Sequence, residues 1–194
     1  MTKQHELMEE IRRQLEKKYN IMPDRIEKNE ESTDGNVYII YTLNNKFVVK
    51  TYDSLKHTRA MVRLHQYLFS LNMLVPNIIM TKNKNSYIQI GENKYVVVYS
   101  FIDGENLKWC DNKGRLNENL IRKIAQYLRK LHNLTRDNNK FGLLELPFGE
   151  NTERKSLLHF DITKHNIFVD ESMNNQIAFI DFDDAKYGPS VCDL

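Results

Sequence analysis

The feature that most constrains the fold is a polar cluster near the carboxy terminus, His159 to Asn166, with the order His-x-Asp-x₄-Asn. Two short apolar stretches follow it, Ile167 to Val169 and Ile177 to Ile180, and a polar loop separates them. The second stretch runs directly into Asp181. Short apolar runs bounded by polar residues are typical of strands. The pattern therefore predicts a strand pair whose flanking loops present the acidic and amide side chains.

Asp161, Asn166 and Asp181 supply the oxygen atoms that phosphoryl transfer from a nucleotide requires. The reaction needs a carboxylate that orients the attacking hydroxyl and oxygen ligands that hold Mg²⁺ against the phosphates. Each residue alone could simply cap a turn. The combined order, with an intervening strand, favours catalysis. His159 and His165 could instead bind a transition metal, although a set dominated by hard oxygen atoms suits Mg²⁺ better.

A lysine closes one apolar strand in the amino-terminal half of the chain. In the sequence Phe47-Val48-Val49-Lys50, alternation places Val48 and Lys50 on the same face of a sheet. A lysine on an inner face needs an anion, and nucleotide phosphates supply one. The alternative is a solvated lysine at a strand end.

Two further segments are candidates for contact with a nucleotide. Gly35 precedes the first strand of a predicted hairpin, where backbone N–H groups could turn over phosphates, although one glycine is also compatible with an ordinary loop. The strand from Val96 ends at Phe101 and Ile102, just before Gly104. Extended backbone there could offer a C=O and an N–H to an adenine edge, and a linker without a ligand is the alternative.

The predicted elements divide the chain into an amino-terminal part built mainly of sheet and a second part with a long helix. Apolar positions recur every four residues from Lys3 to Tyr19, which predicts an opening helix. Asn44-Asn45 joins two β-rich runs into a hairpin. The other predicted elements are a helix between Ser54 and Pro76, a strand pair at Tyr87 to Ile90 and Tyr95 to Phe101, and a helix from Asn117 to Leu134. We predict an α+β fold with two lobes, residues 1–101 and 102–194.

Charge and cysteine content exclude several classes of protein. Lys and Arg total 28 against 26 Asp and Glu, so the net charge of +2 gives no broad cationic field for nucleic acid. No long apolar run suggests a membrane span or a signal peptide. The two cysteines, Cys110 and Cys192, form no CxxC pair, which excludes a disulfide framework and a cysteine-based zinc knuckle. We expect a cytoplasmic protein with neither nucleic acid nor membrane as a partner.

The motifs resemble those of the protein-kinase-like phosphotransferases, specifically the aminoglycoside phosphotransferase and choline kinase family. Leu158 to Asp161 with Asn166 is similar to the catalytic loop of that family, and Ile180 to Asp183 is similar to its metal-binding segment. Leu131-His132 is similar to the end of the helix that precedes the loop. The stretch from Asp183 to Leu194 is similar to the corresponding stretch in bacterial stress-response and homoserine-kinase-like members of the family.

The resemblance implies a two-lobed kinase-like fold, with a small antiparallel-sheet N-lobe and a helical C-lobe. It also implies ATP or GTP with Mg²⁺ as cofactors. In this family pattern Asp161 is the catalytic base, Asn166 and Asp181 are metal ligands, and Lys50 contacts the phosphates.

The chain departs from the family pattern in two places. It has no acidic residue between Asp53 and Glu92, so the helix that usually offers a Glu to the strand lysine cannot do so. Gln66, another segment or the phosphates themselves would have to orient Lys50. The sequence also stops at Leu194, where the family continues into several helices, so we expect a truncated C-lobe that exposes apolar surface. A fragment, a truncated reading frame or self-association through that surface would each account for this.

We therefore predict an ATP-dependent phosphotransferase that moves a γ-phosphoryl group to a hydroxyl of a small molecule. An aminoglycoside, choline or a homoserine-like metabolite would be the acceptor. One alternative is a catalytically impaired pseudokinase, or a truncated fragment, that acts as a binding module. The other is a metal-dependent hydrolase that uses His159, His165 and Asp181.

Overall fold

A computed structural model of the chain describes residues 3–30, 32, 36–106, 117–146, 155–170 and 176–193. The chain divides into two compact units. The first comprises Met1–Gln66 and Pro76–Phe101, and the second comprises Tyr67–Val75 and Ile102–Leu194. Of the helices described, none combines the length and the apolar character needed to cross a lipid bilayer.

A five-stranded antiparallel sheet forms the centre of the first unit. Its spatial order is β1-β2-β3-β5-β4, so β3 and β5 pair although a helix and β4 separate them in sequence. The strands are β1 (Arg25–Lys28), β2 (Val37–Tyr41), β3 (Lys46–Tyr52), β4 (Ile88–Ile90) and β5 (Lys94–Ser100). The predicted hairpin is β2 and β3, and the predicted second strand pair is β4 and β5.

Helices cover both faces of this sheet. The opening helix α1 (Lys3–Gln14) places Ile11 in one apolar cluster with Val49 and Val98. Helix α2 (Leu55–Ser70) lies on the opposite face, where the His65 ring is 4.9 Å from the Tyr99 ring, centroid to centroid. Because side chains alternate along a strand, Lys50 shares the α2 face and Val49 the α1 face.

Local sequence explains where these helices begin and end. A π-helical turn, Leu15–Tyr19, extends α1, and Asn20 in the left-handed conformation (φ 61°) ends it three residues before Pro23. Asn reaches this conformation more readily than most residues. Ser54 caps α2, since its Oγ accepts a hydrogen bond from the N–H of His57 at 3.3 Å.

The described part of the second unit contains one long helix and two small antiparallel sheets. Helix α3 (Glu118–Leu134) begins after Asn117, whose side chain accepts a hydrogen bond from the N–H of Leu120 at 3.1 Å. Its apolar side is buried, as its 3.6-residue period predicts. One sheet has the order β6-β8-β9, and the other pairs β7 with β10. These strands are β6 (Glu105–Asn106), β7 (Lys155–Leu158), β8 (Ile167–Asp170), β9 (Gln176–Phe179) and β10 (Lys186–Pro189).

The segment that follows α2 belongs to the second unit and supports β9. The carbonyl oxygen of Leu74 accepts hydrogen bonds from the Tyr127 hydroxyl at 3.2 Å and from the N–H of Phe179 at 3.3 Å. The Tyr127 ring stacks on the Phe179 ring with centroids 4.4 Å apart. Burial raises the pKa of the Tyr127 phenol above its usual range. Helix α3 and this segment therefore fix the strand that leads to Asp181.

Candidate active site

The polar cluster forms a compact loop between β7 and β8. The N–H of Thr163 donates to the carbonyl oxygen of Asp161 at 3.0 Å, and the N–H of Asn166 donates to that of Thr163 at 3.1 Å. These bonds fold the segment from Asp161 to Asn166 back on itself. The x₄ spacing thus brings the Asp and the Asn of the motif to one side of the loop.

Asp161 and Asn166 are in direct contact. The Asn166 side-chain nitrogen donates to Oδ2 of Asp161 at 2.7 Å and to its backbone carbonyl oxygen at 3.1 Å. Asn166 is buried, whereas Asp161 is partly exposed. The contact turns the amide nitrogen of Asn166 towards Asp161, so its carboxamide oxygen is the atom that can face a cation.

Asp181 lies beside the same loop. The N–H of Ile180, the residue before it, donates to the backbone carbonyl oxygen of Asn166 at 3.0 Å. The antiparallel pairing of β8 with β9 brings these two positions together, because Ile167 is the register partner of Phe179. Asp181 itself has φ 61°, so the chain turns sharply just after β9.

Two non-glycine residues of this site have left-handed backbone conformations. Phe160 has φ 67° and Asp181 has φ 61°. Such conformations cost of order 1 to 3 kcal/mol each when the residue is not glycine, and they persist where the surroundings fix them. The Phe160 ring is 44% exposed next to Asp161. The strained backbone therefore lies at Phe160, directly before Asp161, and at Asp181, where it sets the directions of the two carboxylates.

His159 joins the loop to the β9 end through both ring nitrogens. Its Nε2 donates to the carbonyl oxygen of Ile180 at 2.8 Å, and its Nδ1 accepts from the N–H of Asp161 at 3.4 Å. This pair of bonds requires the neutral tautomer with the proton on Nε2. Desolvation lowers the pKa of the His159 imidazole, since the ring is fully buried against Phe182. His159 therefore orders the loop through both of its ring nitrogens.

Asp193 anchors the start of the loop, a role that the sequence analysis did not assign. Its Oδ2 accepts from the N–H of His159 at 2.9 Å, and its Oδ1 accepts from the N–H of Phe160 at 2.8 Å. His132, near the end of α3, places its Nε2 2.8 Å from Oδ2 of the same carboxylate. No local pattern reveals this, because Asp193 and Phe160 are 33 residues apart. The available signals were the family similarities of Leu131-His132 and of the stretch from Asp183 to Leu194, which contains Asp193.

The donor set fits a hard divalent cation. The carboxylate of Asp181 and the carboxamide oxygen of Asn166 are oxygen ligands of the kind that Mg²⁺ prefers, and the Asp161 carboxylate is in contact with Asn166. The Asn166 to Asp161 contact orients two of the three groups. The residues present therefore fit the metal that the family resemblance implies.

The histidine-based metal site is not supported. Both nitrogens of His159 are committed to backbone groups of the loop and of Ile180, and His165 is exposed. Within the described ranges, no group of three His, Cys, Asp or Glu residues could hold a metal ion. The expectation of a hydrolase that uses His159, His165 and Asp181 therefore loses its structural basis.

Lys50 lies in β3, on the sheet face that α2 covers. Its register partners are Val37 in β2 and Val97 in β5. The Gln66 amide nitrogen donates to the Ser86 hydroxyl at 3.3 Å, so the orientation of Lys50 by Gln66 stays a prediction. The side chain of Gln66 thus turns towards the loop before β4.

The remaining predicted contact residues receive less structural definition. Gly35 lies outside the described residues. Phe101 and Ile102 follow β5 in partly exposed, non-helical backbone. The Lys46 ammonium lies 5.0 Å from the centroid of the Phe101 ring. Their role in adenine binding stays a prediction.

Comparison with known proteins supports the resemblance predicted from the motifs. Residues 143–194 match the family described as "Phosphotransferase enzyme family", a range that contains the whole candidate site of the second unit. No curated protein matches the chain.

Solved structures with the same fold are numerous, and all those described below are distant in sequence. A spectinomycin phosphotransferase in complex with ADP and spectinomycin is 14% identical, with a TM-score of 0.74 over 95% of this chain and 71% of its own. An amicoumacin kinase in complex with AMP-PNP and Ca²⁺ is 13% identical, with a TM-score of 0.75 over 100% of this chain and 67% of its own. A choline kinase from Streptococcus pneumoniae is 14% identical, with a TM-score of 0.63 over 94% of this chain and 70% of its own.

These matches confirm the predicted α+β, protein-kinase-like fold. The chain spans 67% to 71% of the length of these three structures. The match to an enzyme family within residues 143–194, together with that fold, confirms the predicted phosphotransferase class.

Proposed function

We propose that this phosphotransferase moves the γ-phosphoryl group of ATP to a hydroxyl of a small molecule. The observation that carries the proposal is the contact between Asp161 and Asn166, because it orients a candidate base and a candidate metal ligand with one hydrogen bond. The solved structures with ADP and AMP-PNP support an adenine nucleotide. Use of ATP would place the activity in the cytoplasm.

In this mechanism Asp161 positions the acceptor and takes its proton. The Asn166 side chain donates to Oδ2 of Asp161, so we assign Oδ1 to the acceptor hydroxyl. The hydroxyl proton passes to Oδ1 as the acceptor oxygen bonds to phosphorus and the bond to the departing ADP oxygen breaks. Two backbone hydrogen bonds would hold Asp161 in place for this step: the N–H of Asp161 donates to His159, and the N–H of Phe160 donates to Asp193.

Asn166 and Asp181 would hold Mg²⁺, and Lys50 would contact the phosphates. Bound Mg²⁺ would neutralise charge on the phosphate oxygens. Asn166 offers its carboxamide oxygen, and Asp181 offers a carboxylate that the turn after β9 directs. Phe101 and Ile102 would offer backbone groups to the adenine, and Gly35 would lie near the phosphates.

The acceptor that we propose is an aminoglycoside, choline or a homoserine-like alcohol. The similar solved structures include a spectinomycin phosphotransferase, an amicoumacin kinase and a choline kinase, all of which act on small molecules. A pseudokinase is not favoured, because residues 143–194 match a phosphotransferase enzyme family and the loop brings Asp161 and Asn166 together.

Purified protein incubated with Mg²⁺, ATP and a panel of such alcohols tests the proposal. We expect at least one acceptor to stimulate ADP release, and Asp161→Asn to abolish that stimulation. If ATP and Mg²⁺ raise the melting temperature but no acceptor elicits ADP, the chain is a binding module instead.

A further inference from the structure

Helix α2 offers Lys50 no carboxylate. The helix contains no Asp or Glu anywhere from Leu55 to Ser70. On the same sheet face, Glu27 of β1 is two strands away and pairs with Arg25 at 2.8 Å. Asp53, at the end of β3, pairs with Lys94 at 2.7 Å. Glu27 and Asp53 thus each form an ion pair with a residue other than Lys50.

The Lys50 face carries two buried tyrosines instead. Tyr52 lies two residues beyond Lys50 in β3, and Tyr99 lies two residues beyond Val97, the β5 partner of Lys50. Because the strands are antiparallel, the tyrosines flank the Lys50–Val97 pair from opposite sides. Both are at most 6% exposed.

The two tyrosine hydroxyls meet over this pair. Tyr99 is the register partner of Val48, four residues before Tyr52, and four residues of an antiparallel strand span about 13 to 14 Å. The hydroxyl oxygens of Tyr52 and Tyr99 are nevertheless only 3.0 Å apart. Both side chains must therefore lean along the sheet towards each other, and their meeting point lies above Lys50 and Val97.

Helix α2 holds the tyrosines in this arrangement. The His57 ring is 5.4 Å from the Tyr52 ring, and the His65 ring is 4.9 Å from the Tyr99 ring, centroid to centroid. Nδ1 of His65 lies 3.0 Å from the carbonyl oxygen of Pro76, which fixes that ring. The two imidazole rings of α2 thus pack against the two phenol rings that flank Lys50.

We propose that the hydroxyl pair of Tyr52 and Tyr99 positions the Lys50 ammonium in place of a helix carboxylate. One hydroxyl donates to the other, and the lone pairs that remain accept from the ammonium. A phenol is neutral, so Lys50 keeps its full positive charge for an anion. This inference rests on the proposed function, in which that anion is the nucleotide phosphate.

A double-mutant cycle on affinity for ATP and Mg²⁺ tests the proposal. Tyr52→Phe and Tyr99→Phe should each weaken the wild-type affinity by about tenfold, the size expected for a lost hydrogen bond to a charged group. In a Lys50→Met background the same changes should have no further effect. Tyr38→Phe is the matched control, since Tyr38 is a buried tyrosine of the same sheet on the α1 face. Equal losses with and without Lys50, or no loss in the wild type, would overturn the proposal.

A second measurement works without nucleotide. Lysine-selective NMR reports the Hζ–Nζ signal of Lys50, which is assigned by its absence in Lys50→Met. We expect Tyr99→Phe to shift this signal and Tyr38→Phe to leave it in place. An unchanged signal in Tyr99→Phe would contradict the contact even if the protein bound ATP. Conversely, a shifted signal in a protein without affinity for ATP would retain the contact and contradict only the proposed function.

Discussion

The two units present their candidate site residues in different ways. In the second unit, Asp161 lies in a loop that is held by hydrogen bonds to His159 and Asp193 and by one from Asn166. In the first unit, Lys50 sits on a regular strand, and its position depends on the side chains that cover that sheet face. The loop geometry is thus encoded by polar contacts, and the lysine geometry by packing.

The difference explains why the candidate residues of the second unit follow the family pattern whereas the surroundings of Lys50 in the first unit depart from it. A loop held by directional bonds tolerates few changes, because a lost partner leaves a buried polar group unpaired. A strand position tolerates a change of neighbour as long as the sheet face stays filled. Helix α2 could therefore carry apolar and imidazole groups without a carboxylate and still cover Lys50.

The largest effect that distinguishes the two units is expected from Asp161→Asn. The variant keeps the shape of the side chain but cannot accept the acceptor proton, so turnover should fall by about 10²- to 10⁴-fold. Affinity for ATP and Mg²⁺ should stay close to that of the wild type, whereas Lys50→Met should weaken it. Single-turnover assays and nucleotide titrations measure the two properties separately. Near-normal turnover of Asp161→Asn would refute its role as base.

A large loss of stability is expected from Asp193→Ala. The change leaves the N–H groups of His159 and Phe160 without their acceptor, and each buried unpaired group costs about 1 to 3 kcal/mol. Urea unfolding should show a loss of about 2 to 6 kcal/mol in the free energy of unfolding. Asp184→Ala removes an exposed carboxylate nearby and is the control. Equal stability of the two variants would remove the anchoring role of Asp193.

A smaller, pH-dependent effect is expected from His159. Burial lowers its pKa in the folded state, so the unfolded state has the higher affinity for the proton. Below about pH 6.5 the unfolded state therefore binds more protons than the folded state. Stability should therefore be complete above that pH and decline as the pH falls, by at most about 1.4 kcal/mol per pH unit from this group.

Urea unfolding between pH 5 and pH 7.5 checks this dependence. His159→Gln should have a shallower slope than the wild type, and His165→Gln, at an exposed position of the same loop, should keep the wild-type slope. A slope that His159→Gln leaves unchanged would mean that the histidine titrates alike in both states.

The smallest effect is expected from Tyr127→Phe. The variant loses the hydrogen bond to Leu74 but keeps the stacking on Phe179, so the free energy of unfolding should fall by about 1 kcal/mol. Thermal unfolding measures the change. Tyr67→Phe, which loses an exposed bond to Leu134, should cost less. A larger loss for Tyr67→Phe than for Tyr127→Phe would show that the hydrogen bond from Tyr127 to Leu74 contributes little to stability.

Much of the fold follows from short-range patterns. Alternation and the Asn44-Asn45 turn locate β2 and β3, and the 3.6-residue period locates α3 to within one residue at Asn117. Strands β1 and β10 were missed, because Arg25–Lys28 is short and charged and Lys186–Pro189 contains Gly188 and Pro189. Their strand geometry comes from pairing with β2 and β7.

The candidate site likewise contains local contacts, which the sequence predicts, and long-range contacts, which it does not. The spacing of Asp161 and Asn166 is local, so it predicts a contact that the structure contains. The carboxylate of Asp193 and the tyrosines of β3 and β5 act across 33 to 47 residues of sequence. Such contacts depend on strand register and helix packing, which no local pattern encodes.

Binding of Mn²⁺ in the presence of AMP-PNP, followed by electron paramagnetic resonance, tests whether oxygen atoms of Asn166 and Asp181 hold the divalent cation beside Asp161. We predict that Asn166→Ala and Asp181→Ala each weaken Mn²⁺ binding by about tenfold or more, while Asp184→Ala binds like the wild type. Wild-type Mn²⁺ affinity in both Asn166→Ala and Asp181→Ala would contradict the assignment of this loop as a phosphoryl-transfer site.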